Sequence, residues 1–290
     1  MALAVNIRNR IKILKKEYDR LRLGKESLLR IIDEAEIPES VYNSNAIENS
    51  TLTLKETEKI LLEMEVSRDI SLREVFEAKN LARVINYIQG KPFEPLTEAM
   101  LLLFHNMLLG NIDEAIVGRF RKKHEYVRVG THIAPSPEHI ERMIKQIFLA
   151  YSSDHETYFL EKIAKFHLDF ETIHPFNDGN GRIGRVLVNY QLFGLEFPEI
   201  IIRDKEKKEY YRAFDQYRDD KNTKSMEMLF ACALAESLHK RLAYLRSETI
   251  ITLTEYAGKL GKPVPTVLNA AKRQTIPAFR EKGIWKIGIK

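Results

Sequence analysis

Between His174 and Arg185 the chain reads HPFNDGNGRIGR, twelve residues that hold an imidazole, a carboxylate, a Gly-Asn-Gly core and two guanidiniums. Apolar periodicity places helices over about 157–173 and 181–194, so the stretch reads as helix, loop, helix. Gly179, Asn180 and Gly181 open the second helix, whose first backbone N–H groups have no partner within it. Such a start is a ready anion site, and glycine lets a phosphate approach the backbone closely. Along that helix Arg182, Arg185 and Asn189 share one side, while Ile183, Leu187 and Tyr190 take the core side. No G-K-[ST] element is present and the preceding element is a helix, so this is not a Walker loop. A histidine beside phosphates can take the proton of an attacking hydroxyl. A carboxylate beside the same phosphates suits Mg²⁺, which keeps few protein ligands, and the arginines offset phosphate charge. The chemistry indicated is phosphoryl or nucleotidyl transfer.

A second arrangement overlaps the first. In YFLEKIAKFHLDFETIH, His167, Glu171 and His174 fall at i, i+4 and i+7 on one helix face, with Asp178 just beyond its end. Those four could form a transition-metal cluster of a metal-dependent hydrolase. They could equally be a packing histidine and its hydrogen-bond partner, leaving only His174 and Asp178 for chemistry. The sequence lacks HExxH, and its one cysteine, Cys232, lies elsewhere.

The elements that must position these groups are nearly all helical, so the expected class is mainly α. A long amphipathic helix is expected over about 6–36, through Ile7, Ile11, Leu14, Tyr18, Leu21, Leu28 and Ile31/Ile32, stopped by Pro38. Further helices are expected at 53–65, 71–89 (before Gly90-Lys91-Pro92), 97–109, 138–151, 205–219 and 224–245. The segment 124–134, HEYVRVGTHIA, breaks the pattern and reads as a short hairpin turning at or near Gly130. After Ser247 two short helices (about 252–260 and 264–274) and a hairpin turning near Lys282-Gly283 give a winged helix-turn-helix pattern. The expected organisation is an N-terminal helical region at 1–95, a core at 96–246 and a small module at 247–290.

The 290 residues carry a net charge of +5. Residues 249–290 hold eight Lys or Arg against Glu255 and Glu281, a balance of +6, so the body is nearly neutral. That tail could bind DNA, or could be a small interaction or dimerisation module with solvated lysines. Hydrophobic content of 44% and charged content of 30% suit an ordinary soluble chain. The opening MALAVNIRNRIKILKK mixes apolar and basic residues, unlike a signal peptide, and no run reaches membrane-spanning length. Cys232, in LFACALA, is expected to be a buried filler of a cytoplasmic protein.

The run HPFNDGNGRIGR resembles the signature of the Fic family, H-P-F-x-[DE]-G-N-G-R-x-x-R, at every fixed position. The resemblance extends over about 40–220. It implies a helical core with a hairpin flap, and transfer of AMP from ATP to a hydroxyl of a protein, pyrophosphate leaving. By position, His174 would be the base and Asp178 the Mg²⁺ ligand. Gly179, Asn180 and Gly181 would form the anion nest, with Arg182 and Arg185 on the β- and γ-phosphates. Phe176 would anchor the loop. The flap, Val127, Arg128, Val129, Gly130, Thr131 and His132 within about 124–137, would align the target segment. Tyr210 and Tyr211 match an aromatic pair near the adenine, although the asparagine that often follows in relatives is replaced by QYRDD. The intact Gly-Asn-Gly-Arg core favours AMP over phosphate or phosphocholine.

Upstream, Ser44-Asn-Ala-Ile-Glu48-Asn49 reads by itself as a capped helix start with a solvated glutamate. It also resembles the family's inhibitory pattern [ST]-x-x-x-E-[GN]. That resemblance implies that Glu48 pairs with Arg185 and competes with the γ-phosphate, and in some relatives the same glutamate supports AMP removal. The implied partners are ATP and a target protein, with a homodimer and DNA at 247–290 left open. A DNA-binding regulator that uses nucleotide only as a signal is the other function class.

Overall fold

The computed structural model describes residues 5–66, 69–91 and 93–289. Pro92 and the tail's Lys290 lie outside the described residues. Among these the chain forms α1 (Val5–Arg22), α2 (Glu26–Ile47), α3 (Leu54–Glu58, continued by a π turn), α4 (Leu72–Gln89) and α5 (Glu98–Leu109). The hairpin β1 (Arg128–Val129) and β2 (His132–Ile133) follows, then α6 (Ile140–Ser153), α7 (Phe159–Ile173), α8 (Asn180–Gly194), α9 (Lys207–Asp220) and α10 (Lys224–Leu245). The chain closes with β3 (Thr249–Thr252), α11 (Leu253–Lys259), α12 (Val264–Lys272), β4 (Ala278–Glu281) and β5 (Ile284–Ile289). The expected mainly-α class holds.

Capping accounts for most helix ends. Thr53, Ser71, Thr97 and Thr252 each accept a backbone N–H from the first turn that follows, and Thr53 and Thr252 complete capping boxes with Glu56 and Glu255. The one long N-terminal helix is corrected to two. Gly24, at φ +72°, ends α1, and Pro38 sits inside α2 instead of stopping it. A left-handed residue breaks the hydrogen-bond ladder, whereas the Pro38 ring costs one bond and is flanked by the buried Ile37 and Val41. The break also resets the apolar phase. Ile7, Ile11, Leu14 and Tyr18 are buried as expected, but beyond Gly24 the stripe runs through Leu29 and Ile32, and Ile31 is 63% exposed.

Packing divides the chain into two compact units. One comprises Ile37–Glu196 and Ile201–Glu227, the other Met1–Glu36, Phe197–Ile200 and Met228–Lys290. The first holds one large apolar core that includes Val41, Leu81, Phe104, Phe170, Phe176 and Ile183. In it α7 packs on α6, α8 and α9, while α4 packs on α5 and α8. Strands β1 and β2 pair Arg128 with Ile133 and Val129 with His132, and Gly130 supplies the turn at φ +59°.

In the other unit β3, β5 and β4 form an antiparallel sheet in that order, beside a small core of Leu253, Ala257, Val267, Ala271 and Ala278. The hairpin turns at Lys282 and Gly283, both at positive φ, a combination suited to a two-residue turn. Strand β3 was not expected. Cys232, expected to be buried, is half-buried on α10.

Candidate active site

The groups named from HPFNDGNGRIGR meet at the junction of α7 and α8, within one unit. His174 ends α7 in the left-handed conformation (φ 50°, ψ 62°), its N–H donating to the Phe170 carbonyl. Gly179 begins α8 at φ +83°, and a Cβ there would stand 2.9 Å from Leu109 Cδ2. Only glycine meets both demands. Between these ends Asn180 clasps the loop, accepting from the Phe176 N–H at 2.9 Å and donating to its carbonyl at 2.8 Å. Its side chain is therefore structural, and its N–H remains for the nest. Phe176 is wholly buried and stacks on His105 at 3.8 Å between ring centroids, as an anchor should.

No side chain caps α8. Its first intrahelical bond runs from the Ile183 N–H to Gly179, so Asn180, Gly181 and Arg182 offer N–H groups that the helix leaves unpaired. Arg182 and Arg185 are 3% and 7% exposed, so both lie inside ion pairs instead of projecting freely. Arg185 donates to Glu48 Oε1 at 2.8 Å and to the Ser44 hydroxyl and carbonyl at 2.9 and 2.8 Å. Burial opposes its charge, but Glu48 outweighs burial and raises its pKa. Ser44 lies in the last turn of α2 and Glu48 just past its end, correcting the reading of 44–49 as a helix start. A Cβ built on Gly181 would stand 3.0 Å from Glu48 Cδ and in hard contact with Oε1, so the glutamate covers the start of α8. Arg185 Nη1 is buried without a hydrogen-bond partner.

Asp178 Oδ1 accepts from the Gly179 N–H at 2.6 Å and from Arg182 Nη2 at 3.0 Å, while Oδ2 accepts from Arg73 Nη2 at 2.5 Å. Burial pushes its carboxyl up, but Arg182 and Arg73 outweigh that and hold it below the usual range. It stays ionised and one-third exposed, a fit for a hard divalent cation that takes most ligands from substrate.

His174 Nδ1 lies 3.7 Å from Glu171 Oε2, beyond a hydrogen bond but close enough to bias the ring. Burial pushes the Glu171 carboxyl up, yet His174, His167 and Arg185 together leave it lowered. His167 Nε2 lies 2.7 Å from the Tyr210 hydroxyl, and burial pushes its imidazole down to about 4. Tyr210 is 1% exposed, and Tyr211 is half-buried with its hydroxyl 3.4 Å from the Ile47 carbonyl. Among the described residues no three or more His, Cys, Asp or Glu are grouped to hold a metal, so His167, Glu171, His174 and Asp178 do not form a transition-metal cluster.

On the flap, Ala134 donates to the Val127 carbonyl, and His132 Nε2 lies 2.9 Å from the Thr172 carbonyl. Arg128, Gly130 and Thr131 are exposed, and Val127 and Val129 half-buried.

Four residues escaped the sequence reading. Arg121, 3% exposed, donates to the carbonyls of His174, Glu125, Pro135 and Ile173, tying the loop to the flap. His105 takes the Gly118 N–H on Nδ1 and donates from Nε2 to the Asp178 carbonyl. Arg73 and Glu77 reach the site from α4. Only His105, a lone imidazole inside LLLFHNMLL, gave any local signal.

Residues 95–192 match the Fic/DOC family. The chain is 30% identical over 198 residues to a protein adenylyltransferase Fic of Nematostella vectensis, covering 67% of this chain and 46% of that one. It is 30% identical over 175 residues to the protein of the same name in Drosophila melanogaster, covering 59% and 35%. The chain thus spans less than half the length of these curated relatives. Among solved structures, a Fic-domain-containing signaling protein from Bacteroides thetaiotaomicron superposes with a TM-score of 0.72 at 27% identity, covering 83% of this chain and 98% of the other. A Fic family protein from Desulfovibrio desulfuricans shares the fold over the whole chain and 97% of its own, with a TM-score of 0.70 at 20% identity.

Proposed function

Because this chain belongs to the Fic/DOC family through residues 95–192, we propose that it is a protein adenylyltransferase, moving AMP from ATP to a Ser, Thr or Tyr hydroxyl of a target protein and of itself. The observation that carries the reading is the junction of α7 and α8. It joins a histidine with a carboxylate near Nδ1 to an uncapped helix start bearing Arg182 and Arg185.

The target hydroxyl gives its proton to His174 as its oxygen bonds to the α-phosphorus, and the bond to the β-phosphate oxygen breaks to release pyrophosphate. The N–H groups of Asn180, Gly181 and Arg182 take phosphate oxygens, preorganised by the Asn180 clasp. Arg182 and Arg185 hold the distal phosphates. Asp178 would hold Mg²⁺, which supplies charge neutralisation to the phosphates when bound. Tyr210 and Tyr211 are assigned to the adenine side, Tyr210 acting through the Arg185 guanidinium 5.8 Å from its ring centre. The flap residues Val127–His132 align the target segment, Gly130 supplying the turn.

Glu48 is the brake on this reaction. While it and Ser44 hold Arg185, the γ-phosphate has lost one fork, and ATP sits poorly for in-line attack. A partly desolvated pair of this kind is worth about 1–3 kcal/mol.

For the tail, the winged helix-turn-helix reading rests on α11, α12 and the β4–β5 hairpin, with Lys262, Lys272, Arg273 and Lys282 exposed. Duplex DNA is the proposed partner. Retention of the full chain on DNA should fall with salt and with Lys272→Glu/Arg273→Glu, and salt-independent or absent retention would remove DNA as the partner. Among the described residues no helix is long and apolar enough to cross a membrane. A cytoplasmic setting suits the single cysteine.

The activity is tested with ATP labelled on the α- or the γ-phosphate. The α label should enter protein in Mg²⁺ and disappear in His174→Ala. Entry of the γ label would contradict adenylyl transfer.

A further inference from the structure

Around Asp178 four charged groups close a ring. Arg73 reaches Asp178 Oδ2 through Nη2 at 2.5 Å, and its Nε donates to Glu77 Oε1 at 3.0 Å. The same Glu77 oxygen lies 3.2 Å from Arg182 Nη1, whose Nη2 returns to Asp178 Oδ1 at 3.0 Å. Signs alternate around the circuit, so each carboxylate faces two guanidiniums. Three members are held firmly: Arg182 is 3% exposed, Glu77 13% and Asp178 33%. Arg73 is the exposed one, at 56% near the start of α4.

The two oxygens of Asp178 are not equivalent. Oδ1 is engaged by the Gly179 N–H and Arg182, both fixed by the loop and by α8. Oδ2 has Arg73 as its hydrogen-bond donor. A divalent cation binding Asp178 would therefore take Oδ2 and displace Arg73, since Oδ1 already accepts two hydrogen bonds, one of them from the 3%-exposed Arg182. We propose that Arg73 competes with the divalent cation for Asp178 Oδ2 and so sets the cation affinity of the site. Glu77 retains Arg73 through Nε after it leaves Asp178 and keeps Arg182 in place. Arg73 is thus a positioning residue that acts through Asp178. The inference rests on Asp178 being the cation ligand of the proposed adenylyltransferase.

The test is direct binding of Mn²⁺ to the full chain, with free Mn²⁺ read by electron paramagnetic resonance and no nucleotide present. Arg73→Gln should bind Mn²⁺ about fivefold or more tightly than the parent, the scale of one partly exposed ion pair. Arg73→Lys keeps a cation and should stay near the parent value, and Asp178→Asn in the Arg73→Gln background should abolish the gain. Equal or weaker binding by Arg73→Gln, or no binding by it at millimolar Mn²⁺, overturns the competition. If instead Asp178→Asn leaves the gain intact, the assignment of Asp178 as cation ligand fails, which is a separate result.

Discussion

Glu48 Oε1 lies 2.8 Å from Arg185 Nη2, and the same side chain covers the Cα of Gly181 at the start of α8. One carboxylate therefore engages the second arginine of the signature and occupies space above the helix-start amides. An incoming polyphosphate has to compete for both. Ser44 makes the grip firmer, since its hydroxyl and carbonyl take Arg185 Nε and Nη2. Replacing Ser44 with Ala should loosen the pair and raise self-labelling by severalfold, less than removal of Glu48 itself, as read by incorporation of α-labelled ATP.

Glu171→Gln removes the charge facing His174 Nδ1 without changing volume. Because that carboxylate lies 3.7 Å from the ring and orients it, the variant should lower the rate about tenfold or more. An unchanged rate with an intact fold would assign Glu171 to packing alone.

Arg121 serves the site through its backbone. Its loss would strand the buried carbonyl of Ile173 and the partly buried carbonyls of His174, Glu125 and Pro135. Arg121→Ala should cost about 3 kcal/mol in urea unfolding, and Arg121→Lys should recover little, because one ammonium cannot reach four acceptors.

Gly184 is not a fixed position of the signature, yet an added Cβ would stand 2.5 Å from Glu171 Oε1 and 2.8 Å from His167 Cε1. Gly184→Ala should therefore destabilise by about 1–3 kcal/mol in spite of the better helix propensity of alanine. Thermal unfolding reads the change, and a rise in melting temperature would show that α7 and α8 can part at this point.

Stability should also fall on acidification before the carboxylates titrate. Burial pushes His105, His167 and His239 down to about 4, whereas an unfolded histidine titrates near 6.5. Between those values the unfolded chain binds more protons, so stability is full above about pH 6.5 and falls as pH drops toward 4. Each histidine contributes about 2 kcal/mol of loss by pH 5. Urea unfolding at pH 7 and pH 5 should show this decline, and His105→Gln should flatten it.

Residues that act through local sequence were legible. The turn at Gly130, the glycine opening of α8 and the helix runs around the signature follow from periodicity and turn chemistry, whereas Glu48 was found only through the resemblance of its short pattern to the family's inhibitory one. What escaped acts over long separations. Arg73 and Glu77 sit on α4 with ordinary i, i+4 spacing, which reads as a solvated pair until the fold brings Asp178 and Arg182 against it. Nothing local in RFRKK marks the four carbonyl partners of Arg121. Pro38 was misread for a related reason: its helix is held by burial of its neighbours, which overrides the one missing hydrogen bond.

The central claim is that the chain transfers AMP with His174 as the base and that Glu48 restrains the reaction. The most direct measurement is incorporation of α-labelled AMP from Mg-ATP into the 290-residue chain and into a cell lysate, comparing the parent, Glu48→Gly and Glu48→Gly/His174→Ala. The account predicts about tenfold or more labelling in Glu48→Gly, the scale of a lost partly buried ion pair, and none in the double variant. Equal labelling of parent and Glu48→Gly, or labelling that survives loss of His174, would contradict it.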